Sequence, residues 1–150
     1  MTKTDPLQEQ YRQLTSQIPV EPESVINPSL LQTFVYEYQG QNAVVTINTD
    51  EFTAICPWSG LPDFGSLKIE YVPDDLCIEL KSLKYYLLSY SRVGIVQEHV
   101  ANHILNDLVK ISMPLWMTIN LNYKIRGGLQ TTVSVSHNKE SGTSKNFFNC

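Results

Sequence analysis

The chain has 150 residues, a length that suits one ordinary domain, and its 42% hydrophobic content is enough for a sizeable core. Its formal net charge is −4, which disfavours a broad nucleic-acid-binding face, because phosphate contacts need clustered Lys and Arg. The N-terminus lacks the features of a signal peptide, and no stretch reaches about 18 apolar residues. We therefore expect a cytoplasmic protein with no membrane or direct nucleic-acid partner.

Residues 1–32 are polar and contain four prolines. Because proline interrupts helices and favours extended or turn conformations, this segment is interpreted as an extended N-terminal arm. Strand-like patterns follow at residues 33–38, 43–48 and 66–72. The last is the clearest, since Leu67, Ile69 and Tyr71 alternate with polar residues.

Apolar residues at helical spacing predict two consecutive amphipathic helices after these strands: Leu80, Leu83, Leu87 and Tyr90 in the first, and Val96, Val100, Ile104, Leu108 and Ile111 in the second. Pro114 ends the second helix. Alternating patterns at residues 115–123 and 131–136 predict two more strands, joined by a turn at Arg126, Gly127 and Gly128.

The order strand, strand, helix, helix, strand, strand indicates a single domain over residues 33–138, followed by a flexible polar tail at residues 139–150. Four strands backed by two helices on one side leave two sheet edges open. Pairing those edges with copies of the same chain would satisfy them, so an oligomeric ring is compatible with the pattern.

Three cysteines, Cys56, Cys77 and Cys150, form an odd set without a C-x-x-C pair. Neither a disulfide framework nor a cysteine-rich zinc site is indicated. His99 and His103 lie four residues apart, but they lack a supporting ligand at a suitable spacing, so we expect no metal.

Cys56 opens the segment CPWSGLPDFG, whose prolines and glycines predict a rigid, turning loop. An ionised cysteine is a strong nucleophile, and the alternative is a buried structural thiol. Asp63 is a candidate proton donor or acceptor on the same loop, or a carboxylate that caps a turn or helix.

Two further clusters could carry chemistry. Lys81 and Lys84 lie three residues apart and share a helix face; with Arg126 they would form a phosphate clamp, or else they are a solvated surface. Glu98 lies in the first turn of the second helix. There it either stabilises the helix dipole or, in a pocket, accepts paired N–H donors of a guanine-like base.

The segments CPWSGLPD at 56–63 and ELKSLKY at 79–85, with the Glu98-centred helix ending in ILNDL, resemble the NADPH-dependent 7-cyano-7-deazaguanine (preQ0) reductases of queuosine biosynthesis, a tRNA-modification pathway. The similarity spans roughly residues 51–128 and one structural unit, as in the short, single-module type. It implies the tunnelling fold, an α+β fold with an antiparallel sheet and two consecutive helices on one face. The resemblance further implies that subunits close into pentameric rings, usually stacked as decamers.

The resemblance also implies an oxidoreductase mechanism. The Cys56 thiolate would add to the nitrile carbon of preQ0 as a covalent thioimide, and Asp63 would protonate the nitrogen. Two NADPH would then complete the reduction to the aminomethyl product, preQ1.

The same resemblance implies three groups of binding residues: Glu98 at the deazaguanine edge, Glu79 and Ser82 near the substrate or a subunit contact, and Lys81, Lys84 and Arg126 at the NADPH phosphates. Members of the family commonly have histidine where this chain has Gln97. No G-x-G-x-x-G occurs, so side chains must hold the cofactor in place of a Rossmann turn.

Other functions compatible with parts of this pattern are a non-catalytic purine- or pterin-binding oligomer in which Cys56 is packed, and a cysteine-dependent nitrile hydrolase. Nitrilases are about twice as long and use a different α/β sandwich. A zinc cyclohydrolase of the same fold group would need cysteine and histidine ligands that the Glu98–His99 step does not supply.

Overall fold

The computed structural model describes residues 6–139. Its helices are α1 (Pro6–Ser16), α2 (Leu80–Leu88) and α3 (Gln97–Ser112), with short 3-10 helices at Glu23–Val25 and Pro28–Leu30. Its strands are β1 (Thr33–Val35), β2 (Val45–Ile55), β3 (Pro62–Val72), β4 (Leu76–Ile78), β5 (Trp116–Tyr123) and β6 (Thr132–Asn138). Cys150 and nearly all of the predicted tail lie outside these residues.

The main sheet has four antiparallel strands in the order β2-β3-β5-β6. With α2 and α3 between β3 and β5, the main sheet follows the predicted order of strand, strand, helix, helix, strand, strand, whereas α1 and β4 were not predicted. β1 and β4 form a separate two-stranded sheet, in which Phe34 lies opposite Cys77. Within residues 6–139, one long edge of β2 and one of β6 have no neighbouring strand in the main sheet.

The core lies between one face of this sheet and the two consecutive helices. The alternation that predicted β3 and β5 places Leu67, Ile69 and Leu121 at 0 to 1% exposure, and each such burial contributes about 1.5–3 kcal/mol. From the helices come the buried residues Leu83, Tyr86, Val100, Ile104 and Leu108. The other face of the sheet carries polar side chains such as Lys68 and Asn120. The α+β class with both helices on one face is therefore confirmed.

The segment before β1 is less extended than expected. α1 begins at Pro6, a position that tolerates proline because the first N–H groups of a helix have no intrahelical partner. Ile26 and Leu31 are buried in the core cluster. The expectation that prolines would keep this segment extended and outside the core was therefore wrong for these residues, whereas the division into arm, domain and tail stays a prediction.

Candidate active site

Cys56 lies in the hairpin that joins β2 to β3. Its backbone N–H donates to Leu61 O at 2.9 Å, and its carbonyl accepts from Gly60 N at 2.9 Å. Gly60 has a φ of 70°, which glycine adopts without the strain of a side chain. β3 begins at Pro62, so Asp63 lies in a strand opposite Ala54 and not in the predicted loop.

The thiol of Cys56 is buried, with 4% of the residue exposed. Burial raises its pKa, but hydrogen bonds from the Ser59 hydroxyl, the backbone N–H groups of Ser59 and Trp58, and the Arg126 guanidinium lower it to about 7. These donors stabilise the thiolate because they bond to its charged form. Near neutral pH a large fraction of Cys56 is therefore an ionised nucleophile.

Asp63 is 5% exposed, and its Oδ1 accepts a 2.6 Å hydrogen bond from Arg126 Nη1. Arg126 lies in the predicted turn after β5, where Gly127 and Gly128 have φ of 59° and 78°. Because Arg126 also bonds to the Cys56 thiol, the nucleophile, the carboxylate and the guanidinium meet at one place.

The start of α3 is held beside the residue that precedes Cys56. Ile55 N donates to Val93 O at 2.9 Å, and Ile95 N donates to Ile55 O at 3.1 Å. This short parallel pairing places Gln97 and Glu98, the first residues of α3, near the Cys56 hairpin. Glu98 is exposed, so its carboxylate is open to a ligand.

Glu79 and Ser82 have structural roles at the start of α2. The Glu79 carboxylate caps this helix by accepting from Lys81 N at 2.8 Å and Ser82 N at 2.7 Å. These backbone hydrogen bonds lower the pKa of Glu79. The Ser82 hydroxyl donates to Glu79 O at 2.8 Å and accepts from Gln32 N at 3.0 Å.

Lys81 and Lys84 are exposed on α2, whereas Arg126 lies with Cys56 and Asp63. Lys84 lines a groove of about 250 Å³ between α2 and β2. Its other walls are mostly apolar and include Ile47, Phe52, Leu80, Leu83, Leu87 and Leu88. The structure thus separates the three predicted cations into two exposed lysines on α2, of which Lys84 borders the groove, and one arginine at the thiol.

Sequence reasoning missed two residues at this site. Ser59 lies within the CPWSGLPD segment, so the turn that brings it back to Cys56 was a signal that could have identified it. Tyr123 is 1% exposed, and its hydroxyl donates to Gln97 O at 3.2 Å. The alternation of apolar and polar residues in β5 predicted that Tyr123 is buried, but it did not indicate the hydrogen bond to Gln97.

Within residues 6–139, no three His, Cys, Asp or Glu side chains are grouped so that they could hold a metal ion. His103 Nε2 lies 3.3 Å from Glu23 Oε2, as an ion pair when the histidine is protonated. None of the helices described is both long and apolar enough to cross a membrane.

Comparison with known proteins identifies a family that this chain resembles. A family model described as QueF-like protein matches residues 62–142. A protein of Chlorobium luteolum named NADPH-dependent 7-cyano-7-deazaguanine reductase is 49% identical over 109 residues, which are 73% of this chain and 94% of the relative. A protein of Chloroherpeton thalassium with the same name is 47% identical over 115 residues, covering 77% and 99%.

Among solved structures, the crystal structure of the archaeosine synthase QueF-Like in the apo form matches with a TM-score of 0.59. It is 20% identical and covers 64% of this chain and 93% of that one. At this identity the likeness concerns the fold, and it agrees with the expected tunnelling fold. Taken with the relatives, the matched family model shows that the chain belongs to the family of NADPH-dependent 7-cyano-7-deazaguanine reductases.

Proposed function

We propose that this protein reduces the nitrile of preQ0 to the aminomethyl group of preQ1 with two NADPH, through a thioimide on Cys56. The observation that carries the proposal is the cluster formed by the buried Cys56 and Asp63 with the partly exposed Arg126, in which the pKa of the thiol is lowered to about 7. A readily ionised thiol beside a carboxylate supplies the nucleophile and the proton carrier that addition to a nitrile needs, because the proton that leaves the sulfur can pass through the carboxylate to the nitrile nitrogen.

In the first step, the Cys56 sulfur attacks the nitrile carbon and forms an S–C bond. One π pair of the triple bond moves to the nitrogen, which takes a proton and leaves a neutral thioimide. Asp63 delivers this proton after receiving it from the Cys56 thiol. Because Arg126 bonds to both groups, it stabilises the negative charge on whichever of them carries it.

Two NADPH molecules, bound one after the other, would each supply one of the two hydrides that reduce a nitrile to an amine. Cys56 must also leave as a thiolate between the two reductions, and the donors from Ser59, Trp58 and Arg126 that lower its pKa make it a good leaving group. The same contacts therefore serve both the attack and the departure of the sulfur.

Glu98 is proposed to hold the deazaguanine edge of preQ0. A carboxylate accepts two parallel N–H donors, which matches the amino and ring N–H groups of a guanine-like base. The Ile55–Ile95 pairing holds the start of α3 near Cys56. A base bound at Glu98 would therefore direct its nitrile toward the thiol.

Lys81 and Lys84 fit a role as NADPH phosphate ligands. Both are exposed near the start of α2, and Lys84 borders an apolar groove that suits the rings of the cofactor. Glu79 caps the helix that carries them. Nearly half of the Arg126 side chain, 48%, is exposed, so its expected phosphate contact is compatible with its bond to Asp63.

Self-association into a pentameric ring or decamer is proposed to complete the site. Large apolar residues around the Cys56 hairpin and the Arg126 turn are exposed: Trp58 at 84%, Leu61 at 51%, Ile125 at 67% and Leu129 at 77%. A second subunit would cover these side chains and pair with the open edges of β2 and β6. A cytoplasmic location stays a prediction.

To test the proposed reductase activity, purified protein is mixed with preQ0 and NADPH, and both the NADPH oxidised and the preQ1 formed are measured. We expect two NADPH consumed for each preQ1, no turnover in Cys56→Ala, and turnover retained in Cys77→Ala, whose thiol is buried in the β1–β4 sheet. Release of an acid or amide without NADPH oxidation would indicate a nitrile hydrolase, and binding without any reaction would indicate a purine-binding module.

A further inference from the structure

Tyr123 joins the two halves of the proposed site. It is the last residue of β5, is 1% exposed, and donates its hydroxyl to the carbonyl of Gln97 at 3.2 Å. Gln97 is the first residue of α3 and directly precedes Glu98. The hydroxyl therefore bonds to the backbone that carries the proposed substrate-binding carboxylate.

Tyr123 also lies beside β3, the strand that carries Asp63. In the β3–β5 register Tyr123 is opposite Gly65, two residues after Asp63. Asp63, Gly65 and Tyr123 all belong to the buried face of the sheet. Burial raises the pKa of the Tyr123 hydroxyl, and the nearby carboxylates of Asp63 and Glu98 raise it further. The hydroxyl thus stays a neutral hydrogen-bond donor.

Apolar packing and hydrogen bonds both hold the start of α3: Val100 and Ala101 are buried in the core, whereas Glu98 is exposed. Its N-cap, Val96, offers no side-chain hydrogen bond. The Glu98 carbonyl accepts from Asn102 Nδ2 at 2.8 Å, but this bond lies within the helix. Three hydrogen bonds tie the chain at this end of α3 to the sheet: Ile55 N to Val93 O, Ile95 N to Ile55 O, and the Tyr123 hydroxyl to Gln97 O. Of these three, only the bond from Tyr123 reaches the helix itself, at the residue before Glu98.

Resting on the function proposed above, we infer that Tyr123 is a positioning residue that sets the placement of Glu98 relative to the Cys56–Asp63 pair. Loss of its hydroxyl leaves every reacting group in place but loosens the end of α3 that carries Glu98. A misplacement of about 1 Å between a bound substrate and its nucleophile can slow reaction on the order of 100-fold. The effect is confined to substrates that Glu98 holds.

The test is a double-mutant cycle with Tyr123→Phe and Glu98→Gln. The rate of thioimide formation with preQ0, without cofactor, is measured by intact mass over a range of preQ0 concentrations. We expect Tyr123→Phe to lower the second-order rate constant about 10-fold in the native background and less than about 2-fold when Glu98 is already Gln, because coupled residues are not additive.

A small alkylating reagent provides a second measurement. Iodoacetamide reacts with Cys56 without using Glu98, so Tyr123→Phe should leave its alkylation rate unchanged. Tyr71→Phe is the matched control, since Tyr71 is also buried and its hydroxyl accepts from Ile78 N at 3.0 Å elsewhere in the fold. It should keep the native rate with both reagents.

Equal losses in both Glu98 backgrounds, a parallel loss of iodoacetamide reactivity, or no loss in Tyr123→Phe would each overturn the positioning role. These outcomes differ from failure of the proposed function, which would appear as the absence of a preQ0 adduct in the native protein. That result would overturn this inference together with the function.

Discussion

Arg126 Nη1 lies 2.6 Å from Asp63 Oδ1 and joins the turn after β5 to the start of β3. Asp63 is buried, whereas nearly half of the Arg126 side chain is exposed. Because a buried carboxylate is costly without a partner, this ion pair explains how Asp63 is accommodated beside a thiol that itself ionises. The pair is therefore part of the fold as well as of the proposed chemistry.

Replacement of Arg126 should affect both stability and reactivity. Arg126→Ala leaves the Asp63 carboxylate without its partner, and we expect the free energy of unfolding to fall by about 1–2 kcal/mol, less than for a fully buried pair because Arg126 is partly exposed. Urea denaturation measures this change. Lys124→Ala, which removes a neighbouring exposed cation, should leave stability nearly unchanged, and equal stability of the two variants would contradict the structural role of the pair.

Because Cys56 ionises, the rate at which its sulfur is alkylated should rise with pH. Because the pKa of the folded-state thiol is lowered to about 7, the thiolate is present above that pH and is lost as pH falls through it. Iodoacetamide alkylation, corrected with Cys56→Ala, should therefore rise with a midpoint near pH 7. In Ser59→Ala the midpoint should move up by about one unit, since one hydroxyl donor is lost. An unchanged midpoint pH in Ser59→Ala would exclude the Ser59 hydroxyl as a hydrogen-bond donor to the thiolate.

Asp63→Asn tests the proton carrier. Asparagine has a similar shape but cannot transfer a proton, so we expect cofactor-free thioimide formation to slow roughly 10²- to 10⁴-fold. The affinity for preQ0 should change little, because Glu98 holds the base. Rapid mixing with mass detection gives the rate, and equilibrium binding to the doubly substituted Cys56→Ala, Asp63→Asn protein gives the affinity. A native adduct rate in Asp63→Asn would exclude this carboxylate as the proton donor.

Lys81 and Lys84 should contribute to NADPH binding and should not affect the reaction of the Cys56 thiol with preQ0. Lys81→Ala and Lys84→Ala are each expected to raise the KM for NADPH about 10-fold, because each removes a charge-assisted phosphate contact. The cofactor-free adduct rate should stay at its native value. Lys110→Ala removes an exposed cation in the last turn of α3 and should change neither quantity. A slower adduct in the lysine variants would place them at the substrate instead.

The elements that the sequence predicted well are those whose evidence is local. A period of two in Leu67, Ile69 and Tyr71 depends only on neighbouring residues, and so does the helical spacing from Val96 to Ile111. These patterns identified the main sheet strands and both core helices. The helix at Pro6–Ser16 was missed because the proline count outweighed the tolerance of the first helical position for proline.

The parts of the site that the sequence could not predict depend on long-range contacts. Arg126 and Asp63 are 63 residues apart, and local spacing does not reveal that the turn after β5 reaches the start of β3. The same limit applies to the pairing of Ile55 with Gly94 and to the bond from Tyr123 to Gln97. The motif resemblance named Cys56, Asp63 and Glu98, and the structure supplied the geometry that relates them.

The central claim is a covalent bond between Cys56 and preQ0, and intact mass spectrometry without NADPH tests it most directly. We expect the mass of the native protein to increase by one whole preQ0, since addition to a nitrile expels no atom. The increase should be absent in Cys56→Ala, and NADPH should return the native protein to its original mass with release of preQ1. An adduct that persists in Cys56→Ala, or turnover in that variant, would contradict the account.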